Sequence, residues 1–425
     1  MSLDAIGVGI ELSPDQDEIA LMLRPAGIIG AVPLYAPHTR KVAGGVVVRP
    51  RFGWDGIGPL LEHVSWSAQP EILNIPLVPG SAREVPPWVL AGPVLMRLAA
   101  LLRDLRRGFR MREQVRQMPR GQVLWPRYVS AYAGRGAFHQ IPCRFSDLGP
   151  DRLLRGYLRW GIEAIRRAVA PFATTDAIAR RLLQQADELL GMLDDSPIRV
   201  PDRQALRALL AASALASDAL VRGVEALGWL VDERGLAGQA ANNGLAWSLP
   251  MHQLFERWVG TVVQRWAAGF GGDVLVGESE QTRIPVHWHA RGHGSLSSLV
   301  PDVVVRYGNH VHVIDAKYKD HFEALDGDRW RALAEELRAG HRHDVHQVLA
   351  YAGLFEAAVI TAALVYPVQL ATWRRLAGDG HSVVRATLTG GGRAVTLALI
   401  GLPMQLTPGQ DIAALAQTLD VLRDA

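Results

Sequence analysis

Asp315 and Lys317 stand two positions apart in the run Val311-His312-Val313-Ile314-Asp315-Ala316-Lys317-Tyr318-Lys319. The chain carries 45 basic residues, yet only Lys41, Lys317 and Lys319 are lysines. Where positive charge alone is wanted, this sequence uses arginine, so a retained lysine points to work that a guanidinium cannot do. Lysine is a compact ammonium that reaches a single water or phosphate oxygen, whereas arginine is a wide, permanently charged fork. Side chains alternate along a strand, which places Asp315, Lys317 and Lys319 on one face and Ile314, Ala316 and Tyr318 on the other. Upstream, Pro301-Asp302 opens the apolar run Val303-Val304-Val305, and Gly308-Asn309 supplies a turn. Strands 303–307 and 311–318 are therefore expected to pair as a hairpin. An aspartate on each strand with an ammonium beside them fits metal-dependent phosphodiester hydrolysis. Two carboxylates hold Mg²⁺, and the ammonium positions or polarises the attacking water. The plainer alternative for Asp315 and Lys317 is a salt bridge at a strand edge.

Periodicity places the elements that must position these groups. A helix over Ser248–Ala268 gathers Leu254, Phe255, Trp258, Val259, Val262, Val263 and Trp266 on one side. Glu256 falls at the edge of that side, where a half-buried carboxylate can point along the seam with a sheet. Its other reading is an acidic residue favoured near a helix N-terminus. In Asp344-Val345-His346-Gln347-Val348-Leu349-Ala350-Tyr351, Gln347 and Tyr351 lie one helical turn apart and share a face. From Leu249 onward the expected order is helix, strands, hairpin, helix, helix, strands, which is an α+β domain. Residues 1 to about 80 read as β-rich, and a helix is expected from Pro86-Pro87-Trp88 to Gly108. Residues 110–145 read as extended segments and turns. Three helices should follow: one from Leu153 ending before Pro171, one capped by Thr174 or Thr175 and running to Asp194, and one from Pro201-Asp202 to about Val231. Gly235 to Gly244 reads as a linker. The expected division is a β-rich domain 1–85, a mainly helical middle domain 86–244 and a C-terminal domain 245–425.

The C-terminal pattern resembles the PD-(D/E)xK nuclease superfamily. Pro301-Asp302 corresponds to the PD and Asp315-Ala316-Lys317 to the (D/E)xK, with twelve residues between the two aspartates. Glu256 matches the superfamily's helix glutamate, and Gln347 with Tyr351 matches the QxxxY element of RecB-like nucleases. The runs Leu249–Val259, Asp344–Tyr351 and Val365-Tyr366-Pro367 narrow the resemblance to McrC-type nuclease subunits of McrBC-like modified-cytosine restriction systems. Arg120–Val123, Ile141–Phe145 and Pro150–Leu154 are similar to the middle region of those subunits. Two departures stand out. Asp151-Arg152 replaces the usual Asn-Arg, and Pro50-Arg51-Phe52-Gly53 replaces Pro-Lys-x-Gly. The similarity spans roughly residues 45–370 and is closest after residue 245.

This resemblance implies a restriction-endonuclease-like C-terminal domain and a Mg²⁺-dependent DNA endonuclease, with Mn²⁺ as a substitute ion. Asp302, Asp315 and the Ala316 carbonyl would bind the metal, Glu256 would hold a second ion or a water, and Lys317 would orient the nucleophile. Gln347 and Tyr351 would brace the site and the scissile strand, and the product would carry a 5′-phosphate. The implied partners are double-stranded DNA and a McrB-like AAA+ NTPase ring, GTPase or ATPase, whose hydrolysis the subunit stimulates. Docking into that ring would fall to residues 1 to about 150, beginning with the β-rich domain. Pairing of two assemblies is the implied route to double-strand cleavage. Two other readings are a catalytically silent subunit that activates an NTPase ring and a stand-alone RecB-like repair nuclease.

Composition fits these expectations. At 425 residues, two or three domains are expected, and 49% apolar with 20% charged residues is globular. No G-x-x-x-x-G-K-[ST] loop is present, so nucleotide hydrolysis belongs to a partner. Cys143 is the only cysteine, which excludes an internal disulfide and fits a reducing cytoplasm. No secretory signal or membrane span is expected. Seven arginines between Arg103 and Arg120 form either a polyanion-facing cluster or a solvated helix face with its loop. His287, His289 and His293, like His341, His343 and His346, have metal-ligand spacing but read as solvated or phosphate-contacting side chains.

Overall fold

The computed structural model describes residues 3–15, 18–64, 66–73, 75–76, 78–79, 85–105, 108–149, 151–212, 217–231, 243–289, 295–322, 335–390, 393–406 and 412–423. The architecture is mixed α/β with several sheets, divided into two compact units. Residues 1–89 and 241–425 make one unit, and residues 90–240 make the other.

The first unit begins with an antiparallel hairpin, β1 (Val8–Asp15) and β2 (Glu18–Pro25). Strands β3 (Ile28–Tyr35) and β4 (Val42–Val48) follow, then helix α1 (Trp54–His63) and the short strands β5 (Glu71–Ile72) and β6 (Val78–Pro79). Ile6, Val8 and Val32 form a small core here, covered by Ile28, Val46 and Val48.

Helix α2 (Pro87–Asp104) leads into the second unit. It stops four residues short of Gly108. Strand β7 (Gly108–Arg116) then pairs with a later strand, so Arg110, Arg112 and Arg116 lie on a strand and not on a helix face, with Arg103 in the last turn of α2 and Arg120 in the loop beyond. Arg106 and Arg107 lie outside the described residues. Next come β8 (Gln122–Val123), the short helix α3 (Trp125–Ala131) and β9 (Ile141–Gly149), giving a three-stranded sheet of order β7-β9-β8. Helix α4 (Arg152–Val169) is capped by Asp151, whose carboxylate accepts from Leu153 N and Leu154 N. Aspartate caps as well as the asparagine it replaces. Helix α5 (Ala177–Gly191) is capped by Asp176 and not by Thr174 or Thr175. The chain after α5 is held by two α4 arginines: Arg155 donates to the Met192 carbonyl, and Arg159 donates to the carbonyls of Asp194 and Ser196. The third expected helix is two, α6 (Arg203–Ala212) and α7 (Asp218–Val231). Residues 235–242 of the expected linker lie outside the described residues.

The chain then re-enters the first unit. β10 (Asn243–Gly244) pairs with β6, and β11 (Trp247–Pro250) inserts between β3 and β5 in a sheet of order β4-β3-β11-β5. Residues 248–250 were expected as the first turn of a helix. They pair as a strand because Gly30 lets β3 approach: a Cβ there would collide with the Trp247 carbonyl. Helix α8 (Met251–Ala268) follows, and every residue of its expected apolar stripe is buried. Full burial of each such side chain is worth about 1.5–3 kcal/mol. Two α8 tryptophans also have satisfied N–H groups, Trp258 on the Pro403 carbonyl (3.0 Å) and Trp266 on Asp420 (3.2 Å).

Beyond α8 lie β12 (Asp273–Val276), the short pair β13 (Ile284–Pro285) and β14 (Ser298–Leu299), then β15 (Val303–Tyr307) and β16 (His310–Ala316). β15 and β16 form the expected antiparallel hairpin, from Val303↔Ile314 to Tyr307↔His310. Gly308 takes the left-handed conformation at its turn (φ 55°). The second strand ends at Ala316, not at Tyr318. Helix α9 (Glu335–Ala352) crosses over to β17 (Val359–Val368), which runs parallel to β16. Helix α10 (Leu370–Gly378), β18 (Val383–Gly390), β19 (Arg393–Pro403) and α11 (Ile412–Gln417) complete the chain. The main sheet has the order β12-β15-β16-β17-β19-β18, with β16, β17 and β19 parallel. The expected order omitted β17, a buried strand between two helices. No helix among the described residues is long and apolar enough to cross a membrane.

Candidate active site

The hairpin's last rung is Val303↔Ile314, so Asp302 and Asp315 stand at the next one, at the open end of the ladder. Asp302 precedes β15 in a turn that is clamped from behind. Gly277 N donates to the Asp302 carbonyl (2.8 Å), and the buried Thr282 hydroxyl donates to the Pro301 carbonyl (2.6 Å). The Ala316 N–H donates to Asp302 Oδ2 at 2.7 Å, tying the two strand ends together. Asp315 is 1% exposed, and its Oδ2 lies 2.6 Å from Lys317 Nζ. That contact is close but poorly aligned, so Asp315 Oδ2 is a buried oxygen without a well-directed donor. The Lys317 N–H donates to the Val365 carbonyl, which keeps residue 317 against β17 although regular pairing has ended.

Electrostatics mark the same spot. Burial pushes the Asp302 carboxyl up to about 8, and the charges of Asp315 and Glu256 push the same way, opposed by the Ala316 N–H and Lys317. Asp315 is also raised, by burial first, with Lys317 opposing. For Lys317, burial works against the ammonium, but Asp315, Asp302 and Asp344 outweigh it and hold its pKa above the ordinary lysine value. Crowded, desolvated carboxylates of this kind need either a proton or a cation. The donors are hard oxygens, which suits Mg²⁺. Among the described residues no group of three or more His, Cys, Asp or Glu side chains is placed to hold a metal ion.

Glu256 is half-buried on α8, and with Asp302 it lines a cavity of about 630 Å³. His63, Gln253, Arg257 and Gln264 also face this space. Gln347 and Tyr351 sit on α9 and bond to each other, Gln347 Nε2 donating to the Tyr351 hydroxyl at 2.9 Å. Among the described residues neither is hydrogen-bonded to Asp302, Asp315 or Lys317. The structure thus brings Glu256, Asp302, Asp315, Ala316 and Lys317 to one end of the hairpin and gathers Gln347 and Tyr351 as a pair on the adjoining helix.

Lys319 departs from its expected position. Because the strand ends at Ala316, it does not continue the Asp315–Lys317 face. Its Nζ instead donates to Asp344 Oδ1 on α9 at 2.6 Å. Asp344 is buried, with the Tyr366 hydroxyl and His321 Nδ1 each 3.4 Å from its Oδ2. His341, expected to be solvated, is buried against the Tyr366 hydroxyl (3.1 Å), while His343 and His346 are exposed. His293 lies outside the described residues. On the other side of the turn, Arg51 pairs with Asp320, and Phe52 stacks edge-on with Tyr318. Gln405 Nε2 in turn donates to the Phe52 carbonyl. Sequence reasoning gave no role to Thr282, Asp344 or Arg51. Asp344 alone carried a signal, lying one helical turn before Gln347.

Comparison with known proteins adds a family. The model of the McrBC 5-methylcytosine restriction system component matches residues 88–367. No curated protein matches the chain. A chain in the half-complex refined from the tetradecameric assembly of Thermococcus gammatolerans McrB AAA+ hexamers with bound McrC is 14% identical, with a TM-score of 0.45 over 97% of this chain and 85% of that one. A chain in the cryo-EM structure of the Thermococcus gammatolerans McrBC complex is 15% identical, with a TM-score of 0.29 over 57% of this chain and 68% of that one. Both scores are low, and the family match stands without them.

Proposed function

The chain belongs to the family of McrBC 5-methylcytosine restriction system components, and we propose that it is the Mg²⁺-dependent DNA endonuclease of such a system, active when assembled with an AAA+ NTPase. In this reading the six-stranded sheet with α8 and α9 is a restriction-endonuclease-like fold of the PD-(D/E)xK kind. The observation that carries it is the pair Asp302 and Asp315, facing each other at the open end of the β15–β16 ladder, with Lys317 Nζ 2.6 Å from Asp315 Oδ2. Asp302, Asp315 and the Ala316 carbonyl hold Mg²⁺. The ion, when bound, supplies Lewis acidity at the scissile phosphate. Lys317 stays charged among the carboxylates, orients the attacking water and offsets negative charge that builds on the phosphate in the transition state. Glu256 faces the same space from α8 and orders a second ion or a water. Gln347 and Tyr351 brace the scissile strand from α9.

The ring partner is proposed to dock on residues 1 to about 150. Two exposed apolar groups support this: Ile10, Leu12, Leu21 and Leu23 on the β1–β2 hairpin, and Met118, Trp125, Val129 and Phe138 in the segment 118–138. Clusters of this kind mark interaction surfaces. The test is plasmid cleavage by the full chain with its AAA+ partner, nucleotide and Mg²⁺. Cleavage leaving 5′-phosphates, lost in Lys317→Ala with NTPase stimulation retained, is the expected result. Undiminished cutting by Lys317→Ala would refute the assignment.

A further inference from the structure

Resting on the nuclease reading above, we propose that Asp344 is a positioning residue, which anchors Lys319 from helix α9 and thereby fixes the turn that presents Lys317 to Asp315. Lys317 lies just beyond the last paired residue of β16, so the ladder does not set its direction by itself. The backbone turns back immediately, the Lys319 N–H donating to the Lys317 carbonyl at 2.8 Å. What holds Lys319 therefore also constrains Lys317, whose own N–H is fixed on the Val365 carbonyl. What holds Lys319 is a charge-assisted bond of 2.6 Å to Asp344 Oδ1, the stronger class of hydrogen bond.

Asp344 is 1% exposed. A carboxylate so deep costs several kcal/mol unless it is paired and hydrogen-bonded. Lys319 supplies the full positive charge, and the Tyr366 hydroxyl and His321 supply polar neighbours at 3.4 Å. Lys319 itself keeps 39% of its side chain exposed, so it has the option of solvent and is drawn in by Asp344. The same turn is braced from the opposite side by the Arg51–Asp320 ion pair. Asp344 also acts on the reacting groups at a distance, since its charge favours the charged form of Lys317 and disfavours that of Asp315. Among the described residues it is neither hydrogen-bonded nor ion-paired to Asp302, Asp315 or Lys317, so its part is to orient.

The test uses the full chain assembled with its AAA+ partner, in single-turnover plasmid cleavage at saturating Mg²⁺. The variants are Lys319→Met, Asp344→Asn and the double variant, with wild type and Lys317→Ala as references. Loss of a partner that orients a site residue typically costs about 10–100-fold in activity, and each single variant should lose rate constant by that much. Cleavage amplitude and NTPase stimulation, which report folded and assembled protein, should be retained. The double variant should be no slower than the slower single one, because both remove one interaction. Lys319→Met, with its partly exposed side chain, covers the case in which Asp344→Asn fails to fold. Single variants as fast as wild type, losses that multiply in the double variant, or losses confined to amplitude would overturn the inference. A wild type that does not cut removes the nuclease reading and this inference together. A wild type that cuts, with Lys317→Ala inactive and Lys319→Met undiminished, removes this inference alone.

Discussion

Asp302 connects the electrostatics of the site to an observable. Burial, with the charges of Asp315 and Glu256, pushes its carboxyl up to about 8 from an ordinary value of 3.8. Between those values the folded state holds a proton that the unfolded state has released, so the stability from this group falls as pH rises through that window. Cation binding needs the ionised form and displaces the proton. Mg²⁺ should therefore raise the melting temperature more near pH 8 than near about pH 5, and binding should release protons, measurable by calorimetry in buffers of different ionisation enthalpy. Asp302→Asn should flatten the pH dependence and abolish the Mg²⁺ effect. Lys317→Arg tests the lysine preference itself. A guanidinium keeps the charge but cannot approach one oxygen as a compact donor, so cleavage should fall by at least about 100-fold, a cost typical of removing one such transition-state donor. Arginine supporting normal cleavage would return Lys317 to the role of a simple ion-pair partner.

At the scale of elements, the helix caps give the most direct stability prediction. Asp151→Ala should cost about 0.5–2 kcal/mol in chemical denaturation. Asp151→Asn should be nearly neutral, because asparagine accepts the same two N–H groups. Much of the site was legible at this scale. The β15–β16 hairpin, the stripe of α8 and the helical pair Gln347 and Tyr351 follow from periodicity and one turn signal. The misses have physical causes. β17 is apolar throughout, and a short continuous apolar run has no period that separates strand from helix. Ser248-Leu249-Pro250 pairs with β3 through a contact distant in sequence that no local preference encodes. Ser217 lies outside the helices, its hydroxyl accepting from the Leu220 N–H at the start of α7, in an alanine-rich sequence whose composition favours helix, so propensity concealed that start. Lys319 was placed by strand alternation, and the end of the strand at Ala316 redirected it to Asp344. No local pattern in the sequence signals that pairing.

At the scale of the whole molecule, stretches distant in sequence share one unit. The unit of residues 1–89 and 241–425 contains the carboxylates, and part of its N-terminal stretch supports the turn after β16 through Arg51 and Phe52. The Pro50–Gly53 run, read from sequence as a departure from the family pattern, thus also has a structural role beside the site. Arg51→Ala should slow cleavage while the chain still folds, with Asp320→Asn giving a similar loss, both measured as single-turnover rates. Equal rates for both variants and wild type would reduce that ion pair to surface decoration. In the proposed function one divalent cation is held between Asp302 and Asp315 within reach of Lys317. Anomalous diffraction from crystals of the DNA-bound assembly grown with Mn²⁺ in place of Mg²⁺ tests it most directly. The account predicts an anomalous peak in contact with both carboxylates, absent in Asp315→Asn. A peak elsewhere, or none at these two residues while DNA occupies the cleft, would contradict it.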